Sequence, residues 1–290
     1  MWELADNTKR RLAIQGVAAL LQNAHFKGFF TGKIYDGPGK NVCVPGLNCY
    51  SCPGAVGSCP IGSLQNFLTG MRLRVPYYVV GLLLFFGALL GRVICGFLCP
   101  FGLLQELLHL IPVPKKLRTF KGDRILRYLK YVILVVFVIV LPIAVKLTPF
   151  FCKYICPSGT VSGILLALSD RAVASKLGRI FTWKLSLLVL CVLGSTVIFR
   201  PFCKYICPLG AIYGCFNKFA LVRMECDHAK CISCGKCKAA CKMCVDPVET
   251  PNSAECIRCG DCIKACPVQA LHKTVGERPL GTETKQAEQS

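Results

Sequence analysis

Near its C-terminus the chain carries two cysteine runs, Cys231-x2-Cys234-x2-Cys237-x3-Cys241 and Cys256-x2-Cys259-x2-Cys262-x3-Cys266-Pro267. This spacing is the ligand pattern of a ferredoxin-type domain with two [4Fe–4S] clusters. Three cysteines of a run wrap one cube and the fourth reaches across to the other. The pattern assigns Cys231, Cys234, Cys237 and Cys266 to one cluster, and Cys256, Cys259, Cys262 and Cys241 to the second. Zinc sites take two-and-two spacing instead of tight runs of four. Lys242-Met243-Cys244 stands where the first run would have its proline, so Cys244 is a spare thiol able to compete with Cys241.

The remaining chain is too apolar for an ordinary soluble domain: 53% of residues are hydrophobic, 17% are charged, and the mean hydropathy is +0.51. Stretches 77–94, 131–145 and 185–199 read as membrane spans. Their apolar cores fall short of the ~20 residues a bilayer requires, so interfacial residues such as Tyr77, Tyr78 and Trp183 must complete them. A fourth stretch, 12–26, carries Gln15, Gln22 and Asn23 on one helical stripe. It reads as a span turning that stripe inward, with a helix lying in the interface as the alternative. The expected fold is an all-α membrane bundle of three to four transmembrane helices over 1–222. A C-terminal α+β 2[4Fe–4S] ferredoxin domain follows over 223–272, then a disordered tail over 273–290.

The formal charge is +20, yet residues 223–272 hold seven basic and six acidic side chains. The excess lies in the apolar part. It is densest in Lys115, Lys116, Arg118, Lys121, Arg124, Arg127 and Lys130, against Asp123 alone. That is the positive-inside signature of a short cytoplasmic loop, not a nucleic-acid patch. It sends 77–94 inward, 131–145 outward and 185–199 inward, which delivers the cluster domain to the cytoplasm. A reducing compartment keeps its thiols free for iron. Lys9-Arg10-Arg11 and the lack of a cleavable signal pattern suit a cytoplasmic N-terminus.

Four times the chain writes Cys-Pro-x-Gly, at Cys59, Cys99, Cys156 and Cys207. Proline suits the first helical position, so each cysteine is expected at a helix N-terminus, where the dipole favours a thiolate. Cys95, Cys152 and Cys203 each precede one of these motifs by four residues. Phe151-Cys152-Lys153-Tyr154-Ile155-Cys156-Pro157 and Phe202-Cys203-Lys204-Tyr205-Ile206-Cys207-Pro208 mark an internal duplication. Cys95, Cys99, Cys203 and Cys207 end inward spans and offer four thiolates for a third cluster. Arg92 and Arg200, three residues before each pair, either neutralise it or snorkel to the interface. Cys43, Cys49, Cys52, Cys59, Cys152 and Cys156 are expected on the outer side. Four of the six would hold a fourth cluster and the other two pair, unless all are disulfides, which that compartment tolerates. Cys191, Cys215 and Cys226 read as packing or incidental thiols.

The Cys-x3-Cys-Pro pairs Cys95/Cys99 and Cys203/Cys207, followed by the runs from Cys231 to Cys266, resemble the membrane-bound polyferredoxins of periplasmic nitrate reductase systems and of regulators of nitrous oxide reduction. The resemblance covers residues 77–272. It implies a few transmembrane helices, a cytoplasmic two-cluster ferredoxin, and electron transfer to extracytoplasmic redox proteins. The cysteine-rich segment from Cys43 to Pro53 and the Cys152/Cys156 pair are additions to that pattern. They are similar to related membrane iron–sulfur proteins, some of which serve extracytoplasmic flavoproteins.

The leading functional expectation is a transmembrane electron conduit, multi-pass in the cell membrane, between a cytoplasmic donor and an outer acceptor. Crossing ~30 Å of hydrocarbon needs intermediate stations. Quinol oxidation, with membrane quinone as partner, is the alternative within electron transfer. Redox sensing or metal-centre assembly is the alternative from another class. His25, His109, His228 and His272 do not form facing pairs for haem, and no glycine-rich dinucleotide fingerprint is present.

Overall fold

The computed structural model describes residues 2–70, 77–114, 116–145, 148–169, 178–276 and 278–280. Lys115 of the basic loop and the tail 281–290 lie outside them.

Among the described residues two helices are long and apolar enough to cross a membrane, α7 (Asp123–Val145) and α9 (Arg179–Val197). Both are mostly uncovered by the protein, and Val132, Val135, Leu190 and Leu193 are exposed. The stretch expected as a span at 77–94 is broken. Helix α4 (Tyr77–Leu90) has only 14 residues, about 21 Å of rise. Gly91 then turns the chain at φ +54° into α5 (Val93–Phe97) and α6 (Pro100–Leu110). The N-terminal helix α1 (Trp2–Gln22), followed by the short α2 (Lys27–Thr31), is inside out. Arg11 and Gln15 are buried while Val17, Leu20 and Leu21 are exposed. Its polar stripe therefore faces the protein, where Arg11 pairs with Glu106 at 3.0 Å and Gln22 donates to the Leu98 carbonyl at 2.8 Å. A bundle of three to four spans thus exceeds what these helices establish.

Helix α7 has a structural irregularity with a local cause. Leu134–Val140 is wound as a π-helix, and the Leu141 N–H reaches back to Val136. The next donor in that register would be Pro142, which has no N–H. The Phe137 carbonyl left over accepts from Gln65 Nε2 at 2.8 Å. Gln65 lies on α3 (Pro60–Thr69), so the defect ties α3 to α7.

Beyond α7 come α8 (Pro157–Ser169), α9, α10 (Pro201–Tyr205) and α11 (Pro208–Phe216). The C-terminal unit holds β1 (Val222–Cys226), α12 (Lys236–Ala240), α13 (Asp261–Ala265), β2 (Leu271–Val275) and β3 (Arg278–Leu280). Its antiparallel sheet has the order β1-β2-β3, with Cys226 opposite Leu271 and Val222 opposite Val275. The sheet continues past the expected boundary at 272: β2 runs to Val275 and pairs with β3. The disordered tail expected from 273 is corrected accordingly, because Thr274 lies inward at 1% exposure on a strand between two partners.

Candidate iron–sulfur centres

The two cysteine runs adopt the same backbone twice. Ser233 and Arg258 both have φ near +52°, and Gly235 and Gly260 cap α12 and α13 from the left-handed region. Cys241 Sγ accepts from Val245 N at 3.4 Å, as Cys266 Sγ accepts from Ala270 N at 3.3 Å. The missing proline after Cys241 therefore leaves its thiol in the same setting. Cys231, Cys234, Cys237 and Cys266 line one cavity of about 290 Å³. Cys241, Cys256, Cys259 and Cys262 line a second, smaller one. Each run's last cysteine has crossed to its neighbour's cavity. Burial pushes the Cys259 thiol up to about 12, so iron would have to displace a proton there.

Two spare cysteines behave differently from expectation. Cys244 does not line the second cavity, and its thiol points to the Arg118 carbonyl at 3.1 Å. It is no competitor for Cys241, and Cys244→Ser is expected to leave iron content unchanged and stability within about 0.5 kcal/mol, read by iron analysis and unfolding of the whole protein. Cys226 is not incidental, since it ends β1 on the wall of the first cavity, in hydrogen-bond contact with Cys231. Its motif-free position five residues before Cys231 gave no signal; only the strand pairing brings it there.

The pairs Cys95/Cys99 and Cys203/Cys207 come together, each thiol no more than 6% exposed and within electrostatic reach of the others. Cys99 and Cys207 are the N-caps of α6 and α11, as the Cys-Pro rule requires, and Cys207 Sγ accepts from Gly210 N. The two halves clasp each other crosswise. Arg92 donates to the Cys203 carbonyl at 3.1 Å, and Arg200 donates to the Cys95 carbonyl. Gly102 and Gly210 admit these guanidinium groups: a Cβ at either would stand 3.0 Å from Arg200 Nη1 or 3.4 Å from Arg92 Nη2. Both arginines are fully buried, which excludes the snorkelling reading. Arg92 pairs with Glu255 at 2.8 Å, Lys130 with the same carboxylate, and Arg200 with Glu106 at 2.9 Å. Burial would raise Glu255, but Arg92 and Lys130 outweigh it and hold the carboxylate below its ordinary value. Burial raises the Cys95 and Cys203 thiols, and both arginines oppose that shift. Lys130 of the basic loop is therefore a sealed structural cation, while Lys116, Lys121 and Arg124 stay exposed.

Cys43, Cys49, Cys59, Cys152 and Cys156 line a cavity of about 1240 Å³, larger than either ferredoxin cavity, together with Lys40 and Lys184. Cys52 is not on its wall. All cysteines are free thiols. Burial pushes Cys59 to about 12 and Cys156 to about 11. Cys43, Cys59, Cys152 and Cys156 share a single core with the inner four. The Leu47 N–H bonds the Cys99 thiol while Leu47 also walls the outer cavity. Cys191, expected to be incidental, lies within electrostatic reach of both Cys203 and Cys156. Lys184 and Cys191 are seven residues, about 10 Å, apart along α9.

Among the described residues no three His, Cys, Asp or Glu side chains converge on a point that would hold a single metal ion. The cysteines instead gather in sets of four or five, enough for the four-thiolate donor set of a [4Fe–4S] cube. Residues 75–119, 129–176 and 180–224 each match one 4Fe–4S binding domain family, and 250–272 match a second. The three repeats contain Cys95/Cys99, Cys152/Cys156 and Cys203/Cys207 in turn, so the middle pair belongs to the repeated pattern and is not an addition to it. Two named relatives share this character. The methylamine utilization ferredoxin-type protein MauN of Paracoccus denitrificans is 30% identical over 61% of this chain and 58% of its own length. The ferredoxin-type protein NapH of Haemophilus influenzae is 28% identical over 55% of this chain and 50% of its own. The chain belongs to the ferredoxin-type polyferredoxins. This polyferredoxin also resembles an uncharacterised protein of Methanocaldococcus jannaschii, 29% identical over 63% of this chain and 64% of that protein. It thus spans half to two thirds of these relatives. No solved structure matches it. What the matched domain families share is 4Fe–4S binding.

Proposed function

We propose that this polyferredoxin conducts electrons across a membrane, from a cytoplasmic donor to an extracytoplasmic acceptor such as a flavoprotein. The observation that carries the reading is the continuity of the sites. Cys241 and Cys259 pack against the same core as Cys95, Cys99, Cys203 and Cys207, and that core runs on to Cys59 and Cys156. When bound, [4Fe–4S] clusters supply one-electron carriers without bond chemistry. The chain's own part is to hold them close and dry. Glu255 joins the ferredoxin unit to Arg92, and Arg92 to the Cys203 carbonyl. Leu47 joins the inner set to the outer.

A bilayer accounts for the exposed apolar faces of α7 and α9 and for the inverted α1. In this reading the exposed cations Lys116, Lys121 and Arg124 lie on the cytoplasmic side with the ferredoxin unit.

Anaerobically purified protein is expected to hold about sixteen irons per chain, or about twelve with the outer set empty. A reproducible value near eight with full ferredoxin spin-resonance signals would remove both membrane sites. Tags placed in the basic loop should resist impermeant reagents in intact cells, whereas tags beside Cys43 should react; the reverse pattern would overturn the sidedness.

A further inference from the structure

The outer cavity repeats the inner site with one ligand moved. In the inner site Gln105 follows Cys99 by six residues. Its Oε1 accepts from Phe202 N at 3.1 Å, and its Nε2 donates to Cys203 Sγ at 3.1 Å. In the outer site Gln65 follows Cys59 by six residues, and its Oε1 accepts from Cys152 N at 3.2 Å. Both glutamines thus face a Phe-Cys-Lys-Tyr-Ile-Cys-Pro segment. A cation completes each copy: Arg92 on the Cys203 carbonyl at 3.1 Å, Lys184 on the Cys152 carbonyl at 3.2 Å. The glycines of the Cys-Pro-x-Gly turns open toward the facing thiols. A Cβ at Gly62 would stand 3.9 Å from Cys152 Sγ, and one at Gly159 would stand 3.9 Å from Cys49 Sγ.

Gln65 Nε2 goes to the Phe137 carbonyl instead of a thiol, and among the cysteines the copy departs at one position. Cys99 has Cys95 four residues before it, but Cys59 has Ala55, fully buried and without a donor atom. Three N-terminal cysteines could replace it. Cys43 walls the cavity, but its thiol is engaged by the Ser58 and Ser63 hydroxyls, each at 3.4 Å. Cys52 is off the wall. Cys49 is on the wall and within electrostatic reach of Cys59, Cys152 and Cys156. We infer that Cys49, Cys59, Cys152 and Cys156 hold a [4Fe–4S] cluster, Cys49 taking the place that Ala55 leaves vacant, and that Cys43 and Cys52 are not ligands. The inference rests on the proposed conduit only for its purpose, since the ligand set stands on the geometry.

The test is iron content and spin resonance of the full-length protein, purified anaerobically. Cys49→Ser, Cys59→Ser, Cys152→Ser and Cys156→Ser should each lose about four irons of sixteen, while Cys43→Ser and Cys52→Ser lose none. Cys49→Ser/Ala55→Cys should regain them, and failure to do so would overturn the equivalence of position 55. Retention of all irons in Cys49→Ser, or equal loss in Cys43→Ser, would overturn the ligand set. Cys99→Ser reads the inner site separately, so a failed conduit and a failed outer ligand set give different patterns. The unmutated protein gives a second reading that needs no variant to fold. Cys49 and Cys52 are both half-buried, yet anaerobic alkylation should modify Cys52 and spare Cys49 until a chelator strips the iron. Equal modification in the iron-loaded protein would overturn the assignment.

Discussion

In sealed vesicles with reductant on the ferredoxin side and an impermeant acceptor on the other, Cys99→Ser or Cys207→Ser is expected to cut electron passage by orders of magnitude. The eight ferredoxin cysteines are untouched by either change, so their spin-resonance signals should persist and the ferredoxin should still be reduced. The loss is large because the inner set touches both neighbours: Ile257 of the ferredoxin unit abuts α5, where a Cβ at Gly96 would meet the Ile257 carbonyl oxygen at 2.7 Å, and Leu47 on the outer cavity's wall bonds the Cys99 thiol through its N–H. Emptying it roughly joins two short gaps into one long one. Undiminished passage in correctly inserted variants would end the conduit reading.

Glu255→Ala is expected to cost about 3–5 kcal/mol, because it leaves Arg92 and Lys130 buried without their shared counter-charge. Both cations are fully buried, and the carboxylate reaches them from a different structural unit. The effect should therefore appear as loosening of the ferredoxin unit from the helices, with a lowered unfolding midpoint and faster hydrogen exchange around Cys256. Replacing all three groups by apolar residues, as Arg92→Met/Lys130→Met/Glu255→Leu, should recover most of that loss, since the desolvation cost disappears with the charges. Lys230→Ala is the contrasting case: its pair with Asp227 is exposed, and solvent screening leaves such a pair little stabilising effect. A change at Glu255 no larger than that at Lys230 would mean that the charge cluster is not what fastens the two units.

The amino-acid sequence by itself determined the local chemistry. The x2-x2-x3 spacing sets backbone turns within a few residues, so it already paired Cys266 with the first run and Cys241 with the second. Cys-Pro placed Cys59, Cys99 and Cys207 at helix starts, because proline at the first turn needs no partner for an N–H. The duplication of Phe-Cys-Lys-Tyr-Ile-Cys-Pro was visible as text. Only the tertiary structure decided what depends on distant packing. Arg92 and Glu255 are 163 residues apart, and nothing near either names the other. Cys226 joins the first cavity through strand pairing, and Cys49 is distinguished from Cys43 and Cys52 by which thiol the fold turns toward Cys152. The same holds for the spacing between the inner and outer sets. Hydrophobic length alone places them at opposite ends of spans. The fold instead packs members of both sets into one core. Gly91 at φ +54° ends α4 after 14 residues and a proline-started helix begins at each Cys-Pro-x-Gly, because a glycine at positive φ and a proline at a helix start turn the chain where an uninterrupted apolar run would have carried on.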